Sequence, residues 1–112
     1  MPDYSCVNGE IVLAKNAKLQ VTDLGLLRWC GIFDFLKVKK GITLFIEEHM
    51  VRFQNSAKEM GLKLSYSVEE LKAFVMKLIA KNKFKNGGMK IILTGGYSAD
   101  GYLPAEESNM II

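Results

Sequence analysis

Three polar residues in the stretch Phe45–Gly61, FIEEHMVRFQNSAKEMG, are spaced to share one side of a helix: His49, Arg52 and Ser56, at i, i+3 and i+7. They border an apolar stripe at Ile46, Met50, Phe53, Ala57 and Met60, whose recurrence is that of a helix lying on a core. A border arginine can lay its methylene stem in the apolar packing while its guanidinium reaches into a cleft. Its planar fork of paired donors is the side chain best shaped to hold a phosphate. The same spacing also fits a surface arginine beside a hydrogen-bonded histidine, and the helix by itself favours that plainer reading. A second candidate is Asp34, an acid between Phe33 and Phe35 in the β-rich run Cys30–Val38, CGIFDFLKV. A buried carboxylate has to be paired or hydrogen-bonded, so Asp34 is either an edge residue facing water or a member of a polar site. Strand alternation puts Lys37 on the same face as Phe33 and Phe35.

The chain around these residues is 112 long, enough for one core and not for two. Its 49% hydrophobic content with 24% charged residues excludes a disordered chain. No apolar run reaches the length of a membrane span, and MPDYSCVNGE lacks the basic-then-apolar order of a secretion signal, so a cytoplasmic location is expected and no membrane partner. Cys6 and Cys30 have no metal-type spacing and read as two buried thiols. A single histidine argues against an all-protein zinc site. The net charge of +3 permits acidic partners without demanding them. Lys77, Lys81, Lys83 and Lys85 cluster late in the chain, but they suit the end of a helix dipole, and no aromatic platform accompanies them to suggest nucleic acid.

The elements that would position these groups follow in order. Asn8-Gly9 between Tyr4–Val7 and Glu10–Ala14 predicts a tight β-hairpin. A short strand is expected at Leu19–Val21 and a turn of helix at Leu24–Trp29. The Cys30–Val38 strand turns at Lys39-Lys40-Gly41 into Ile42–Leu44. The His49/Arg52 helix is expected to begin near Thr43 or Leu44 and to end at Gly61. Ser67 and Glu70 form a capping box, with Tyr66 and Leu71 placed as a hydrophobic staple, for a second helix whose apolar face is Leu71, Phe74, Val75, Leu78 and Ile79. Asn86-Gly87-Gly88 should break that helix, Met89–Thr94 reads as a strand, and Gly95–Tyr102 as a loop. A dinucleotide loop is rejected at Gly95-Gly96, since the fingerprint spacing and a following helix are absent. Ser108–Ile112 looks like the start of a strand left on exposed apolar residues, an unfinished sheet edge that suggests a truncated chain able to self-associate.

In their order and spacing these pieces resemble the N-terminal domain of the class IV, fold-type IV pyridoxal-phosphate enzymes: branched-chain and D-alanine aminotransferases and aminodeoxychorismate lyases. The resemblance rests on the opening Asn8-Gly9-Glu10 hairpin, Val21 to Asp23 and Gly31-Ile32-Phe33-Asp34. It continues through the Lys-x-Gly turn, Glu48-His49-Met50-Val51-Arg52, Ser56-Ala57 and Thr94 to Gly96. It implies an α+β fold, a mostly antiparallel sheet with two main helices, with residues 1–112 forming the small domain. It implies that Arg52 binds the phosphate of pyridoxal 5'-phosphate, that Phe33 and Lys37 face the substrate, that Lys90 stands in a strand where branched-chain enzymes can carry a substrate-side arginine, and that the loop up to Tyr102 reaches toward the active site of the partner in a homodimer. The resemblance implies substrates that are an amino acid and a 2-oxo acid. Arg28-Trp29-Cys30 departs from the small or polar residues of the family, Asp34 is shorter than its usual glutamate, and Asp100 and Tyr102 stand where D-amino-acid enzymes hold arginine and histidine. The family's Schiff-base lysine belongs to a C-terminal domain beyond Ile112, so no catalytic residue is expected here and the domain alone should be inactive. A non-enzymatic binding module, using the basic helix end and the terminal strand, is the reading from a different class.

Overall fold

In the computed structural model of the chain, residues 3–100 and 107–112 are described. Asn8 and Gly9 both take positive φ, 50° and 84°, the conformation whose twist matches that of the strands it joins. They connect β1 (Tyr4–Val7) to β2 (Glu10–Leu13), as the sequence predicts. The expected strand at Leu19–Val21 does not form: residues 17–20 carry no regular structure, because no neighbouring strand is placed to accept their backbone bonds. α1 (Leu24–Leu27) is a single turn capped by Asp23. β3 (Gly31–Lys39) turns through Lys40 and Gly41, both at positive φ, into the short β4 (Ile42–Thr43).

The helix carrying His49 and Arg52, α2 (Ile46–Glu59), starts later than expected. Leu44 still donates its N–H to Lys37 O, which holds it beside β3, and Phe45 sits in the left-handed region at φ 56°, so helical geometry begins only at Ile46. Its end is the expected one. Gly61 takes φ 68°, Leu62 N–H reaches Ala57 O and Gly61 N–H reaches Lys58 O, the paired bonds of a Schellman cap. Met60 falls outside the buried stripe and is half exposed, because it is the capping residue and no longer follows the helical period.

α3 (Val68–Asn82) opens with the predicted capping box, both reciprocal bonds being present. It is closed by Lys83 in the left-handed region (φ 50°), with Phe84 N–H bonded to Ile79 O. Asn86-Gly87-Gly88, the expected breaker, instead opens the next strand, β5 (Gly87–Thr94). The last strand is β6 (Met110–Ile111).

Among the described residues the strands form one antiparallel sheet in the order β2-β1-β6-β5-β3-β4. β6 is therefore an interior strand. Ile111 stands opposite both Val7 and Ile92, and Cys6 and Ile112 exchange backbone bonds at 2.9 and 3.0 Å. This overturns the unfinished edge expected from the sequence: Met110 is fully buried and Ile111 and Ile112 are half-buried. The helices α2 and α3 cover one face only. β3 alternates accordingly, Asp34, Leu36 and Val38 buried against Phe33, Phe35, Lys37 and Lys39 exposed. Leu36, Val38, Ile91 and Leu93 from the sheet meet Met50, Phe53, Leu71 and Val75 from the helices. Burial of that many aliphatic and aromatic side chains, about 1.5–3 kcal/mol each, is what holds the layers together.

A buried polar knot fixes the other end of the sheet. Asp23 Oδ1 accepts from Gly25 N–H at 2.7 Å, while its Oδ2 accepts from the Thr94 hydroxyl and the Asn109 amide, both at 2.7 Å. Asn109 in turn accepts from Asn8 Nδ2 at 3.1 Å, and Asn8 Oδ1 accepts from Met110 N–H at 2.8 Å. One carboxylate thus joins α1, the end of β5, the approach to β6 and the hairpin turn.

Candidate functional site

The α2 stripe lies on the sheet so that His49 and Arg52, on its border, overhang β3. There they meet Asp34, whose residue is 6% exposed. Arg52 grips this carboxylate side-on: Nε donates to Oδ2 at 2.9 Å and Nη2 to Oδ1 at 2.7 Å. The Phe35 N–H also donates to Oδ1 at 2.8 Å, and His49 Nδ1 lies 2.9 Å from the same oxygen. Of the two readings the sequence left open for Asp34, the polar site is the correct one.

The proximity of His49 Nδ1 to a carboxylate oxygen decides its tautomer. Without a proton, Nδ1 would set its lone pair against that of Oδ1, so Nδ1 carries hydrogen and donates to Asp34. The 3.0 Å approach of Nη2 to Nδ1 is then that of two of the three donors that meet at Oδ1, the third being the Phe35 N–H. Burial pushes the Asp34 pKa up, but the bonds from Arg52, His49 and Phe35 N–H outweigh it and hold the carboxyl below the usual carboxylate range. The bond and the charge of Asp34 raise the Arg52 pKa above its ordinary value. Arg52 itself remains 64% exposed in its side chain. Its Nη1 donates to no protein group among the described residues. The guanidinium therefore points its free end into solvent, as a fixed cation with donors to spare.

The opposite face of the sheet carries the other sequence-predicted residues. Phe33 and Phe35 are exposed, Lys90 stands directly across from Phe35, and Gly88 across from Lys37. The Lys90 ammonium lies over the Phe33 ring at 4.9 Å, a cation–π contact. Phe35, which sequence reasoning did not single out for the site, brings the tip of its ring over Gly88, where an added Cβ would collide with it. The structure thus brings Phe33, Lys37 and Lys90 onto one face. Arg52 sits on the helical side and reaches β3 through Asp34. Tyr102 lies outside the described residues. Asp34 and His49 were visible in the sequence only as a polar residue in an apolar strand and a neighbour on the arginine row. No group of histidine, cysteine, aspartate or glutamate that could hold a metal occurs among the described residues. Nor is any of their helices long and apolar enough to cross a membrane.

A profile of amino-transferase class IV matches residues 31–112, the span holding β3, both long helices and β5. The chain belongs to this family. The D-alanine aminotransferase of Staphylococcus epidermidis is 38% identical over 90 residues, 80% of this chain and 32% of that protein. The enzyme of the same name from Bacillus licheniformis is 29% identical over 89 residues, 80% of this chain and 31% of that one. Among solved structures, the branched-chain amino acid aminotransferase of Escherichia coli superposes with a TM-score of 0.91 at 25% identity, over 99% of this chain and 40% of that one. The 4-amino-4-deoxychorismate lyase of Pseudomonas aeruginosa gives 0.77 at 26% identity, over 96% and 37%. The chain spans about a third of the length of the curated relatives it matches. These likenesses bear out the α+β, antiparallel small domain that the sequence motifs implied.

Proposed function

We propose that the intact protein is a pyridoxal-phosphate-dependent aminotransferase acting on an amino acid and a 2-oxo acid, and that this domain supplies one wall of its site. The observation that carries the reading is the Arg52 guanidinium, fixed from below by Asp34 and open at its outer end. That arrangement fits the phosphate of pyridoxal 5'-phosphate: it offers a permanent positive charge with directed donors. The bound cofactor would supply the electron sink on which amino-group transfer depends. Within this domain Arg52 would anchor and orient it. Phe33, Lys37 and Lys90 would line the substrate side, an aromatic and cationic surface suited to a carboxylate-bearing molecule.

The exposed apolar groups support covering by more protein. Phe33, Phe35, Leu26 and Leu27 on α1, and Trp29 just after it are all more than half exposed, Trp29 at 90%. A C-terminal domain that holds the cofactor's lysine would cover part of this surface, and a second subunit of a cytoplasmic homodimer the rest. A D-amino acid is the favoured substrate, by likeness to the D-alanine aminotransferases. Aminodeoxychorismate lyase is the second reading, favoured by the 0.77 superposition. The test is spectral titration of the intact protein with pyridoxal phosphate, then with a panel of L- and D-amino acids. Cofactor uptake followed by spectral turnover with D-alanine is expected. Absence of cofactor binding would refute the reading, and pyruvate release from aminodeoxychorismate would favour the lyase.

A further inference from the structure

We infer that Asp34 and His49 act as positioning residues for Arg52, fixing which edge of its guanidinium is presented to an anion. The inference rests on the proposed phosphate role of Arg52 and goes beyond it.

A guanidinium has two edges that can grip an oxyanion with parallel bonds: the side edge, Nε with Nη2, and the end edge, Nη1 with Nη2. Asp34 occupies the side edge with bonds of 2.9 and 2.7 Å. The carboxylate is itself held by the Phe35 N–H and buried in a strand, so it cannot follow an exposed side chain that swings away. What remains is the end edge.

His49 decides whether that edge has one donor or two. If Nδ1 lacked a proton it would accept the second Nη2 hydrogen, across 3.0 Å, and leave only Nη1 for a ligand. The Asp34 oxygen 2.9 Å away places the proton on Nδ1 instead. His49 then donates to Asp34, and both end-edge hydrogens of Arg52 stay available. The carboxylate also does not compete with the anion for the same donors. It fixes an otherwise mobile side chain, so that less rotamer freedom is lost when the anion arrives.

Two opposing effects of Asp34 can be separated by experiment. Its negative charge repels a phosphate through space, whereas its grip on Arg52 favours one. The repulsion is offset by the adjoining guanidinium, so the grip should dominate. In the intact protein, affinities for pyridoxal 5'-phosphate and for pyridoxal, which lacks the phosphate, are measured by absorbance titration. Their ratio reports the phosphate contact alone, and a general loss of fold would weaken both ligands together. Asp34→Asn is expected to lower this ratio about tenfold, the worth of one charge-assisted bond. Asp34→Glu should restore most of it, since a carboxylate is again present. His49→Ala, at a half-buried site more tolerant of change, should lower the ratio about threefold, the lower end for one lost hydrogen bond. This variant serves if Asp34→Asn fails to fold.

Arg52→Lys separates the two layers of the argument. If it leaves the ratio unchanged, the phosphate role of Arg52 fails. If it lowers the ratio while Asp34→Asn and His49→Ala leave it unchanged or raise it, the positioning inference alone is overturned.

Discussion

Replacing Asp23 by alanine probes the polar knot that holds together the end of the sheet where Thr94 pairs with Gly31. The substitution removes three bonds of 2.7 Å at once. Two of the abandoned donors, the Thr94 hydroxyl and the Asn109 amide, belong to residues only 5% and 6% exposed. A buried donor left without a partner costs about 1–3 kcal/mol. The third bond is a helix N-cap, whose loss costs about 1 kcal/mol. The Thr94 hydroxyl can rotate to recover part of its loss, so the expected destabilisation is about 3–5 kcal/mol. That is a large fraction of the roughly 5–15 kcal/mol that a domain has in total. Urea unfolding followed by circular dichroism should show a lowered midpoint with an unchanged slope. The stranded-donor argument also predicts non-additivity: Thr94→Val removes one orphan, so in the Asp23→Ala background it should cost at least ~1 kcal/mol less than in the wild type. A destabilisation under about 1 kcal/mol, or strict additivity of the pair, would show that the knot rearranges around other partners and refute the reasoning.

Three further outcomes are expected. The Asp34 carboxyl is held below its unfolded value of about 3.9, so the stability it contributes is present above about pH 4 and is lost as pH falls through the folded-state value. Urea midpoints taken from pH 6 down to pH 2 should fall less steeply in Arg52→Ala, and an unaltered acid slope would contradict the assignment. Lys83→Gly removes a side chain from the left-handed position that ends α3. A melting temperature raised by about 2–5 °C is expected, from roughly 1 kcal/mol of relieved strain less the added freedom of the unfolded chain. Gly88→Ala should displace the Phe35 ring from the strand and destabilise by about 1 kcal/mol. In a Phe35→Ala background the same change should be neutral or stabilising by the same unfolding assay, because Ala loses less entropy than Gly on folding.

Local chemistry is what the sequence by itself determined. Asn8-Gly9, the Ser67/Glu70 box and Gly61 each act through backbone atoms within a few residues, so their turns and caps could be read without knowing what lay opposite. The i, i+3, i+7 recurrence of Met50, Phe53 and Ala57 likewise fixed which face of α2 is buried. Helix ends set by residues outside the usual cap types were misread, as at Phe45 and Lys83, because nothing in a bulky or charged side chain announces a left-handed φ.

Only tertiary structure decided the pairing partners. Ile111 reads as an exposed end until β1 and β5, about a hundred and about twenty residues earlier, close on either side of it. Asp23 caps α1 through one oxygen, but the partners of the other, Thr94 and Asn109, come from the far end of the chain. Arg52 could be singled out as a candidate for anion binding from its type and border position, although the helix alone favoured a plain surface arginine. The edge of its guanidinium left free was set by Asp34, a residue on another element, brought within 2.7 Å by the packing of α2 on β3. A hydrogen bond across eighteen positions depends on register and layer packing, and these follow from the burial of the whole core and not from any local run of residues.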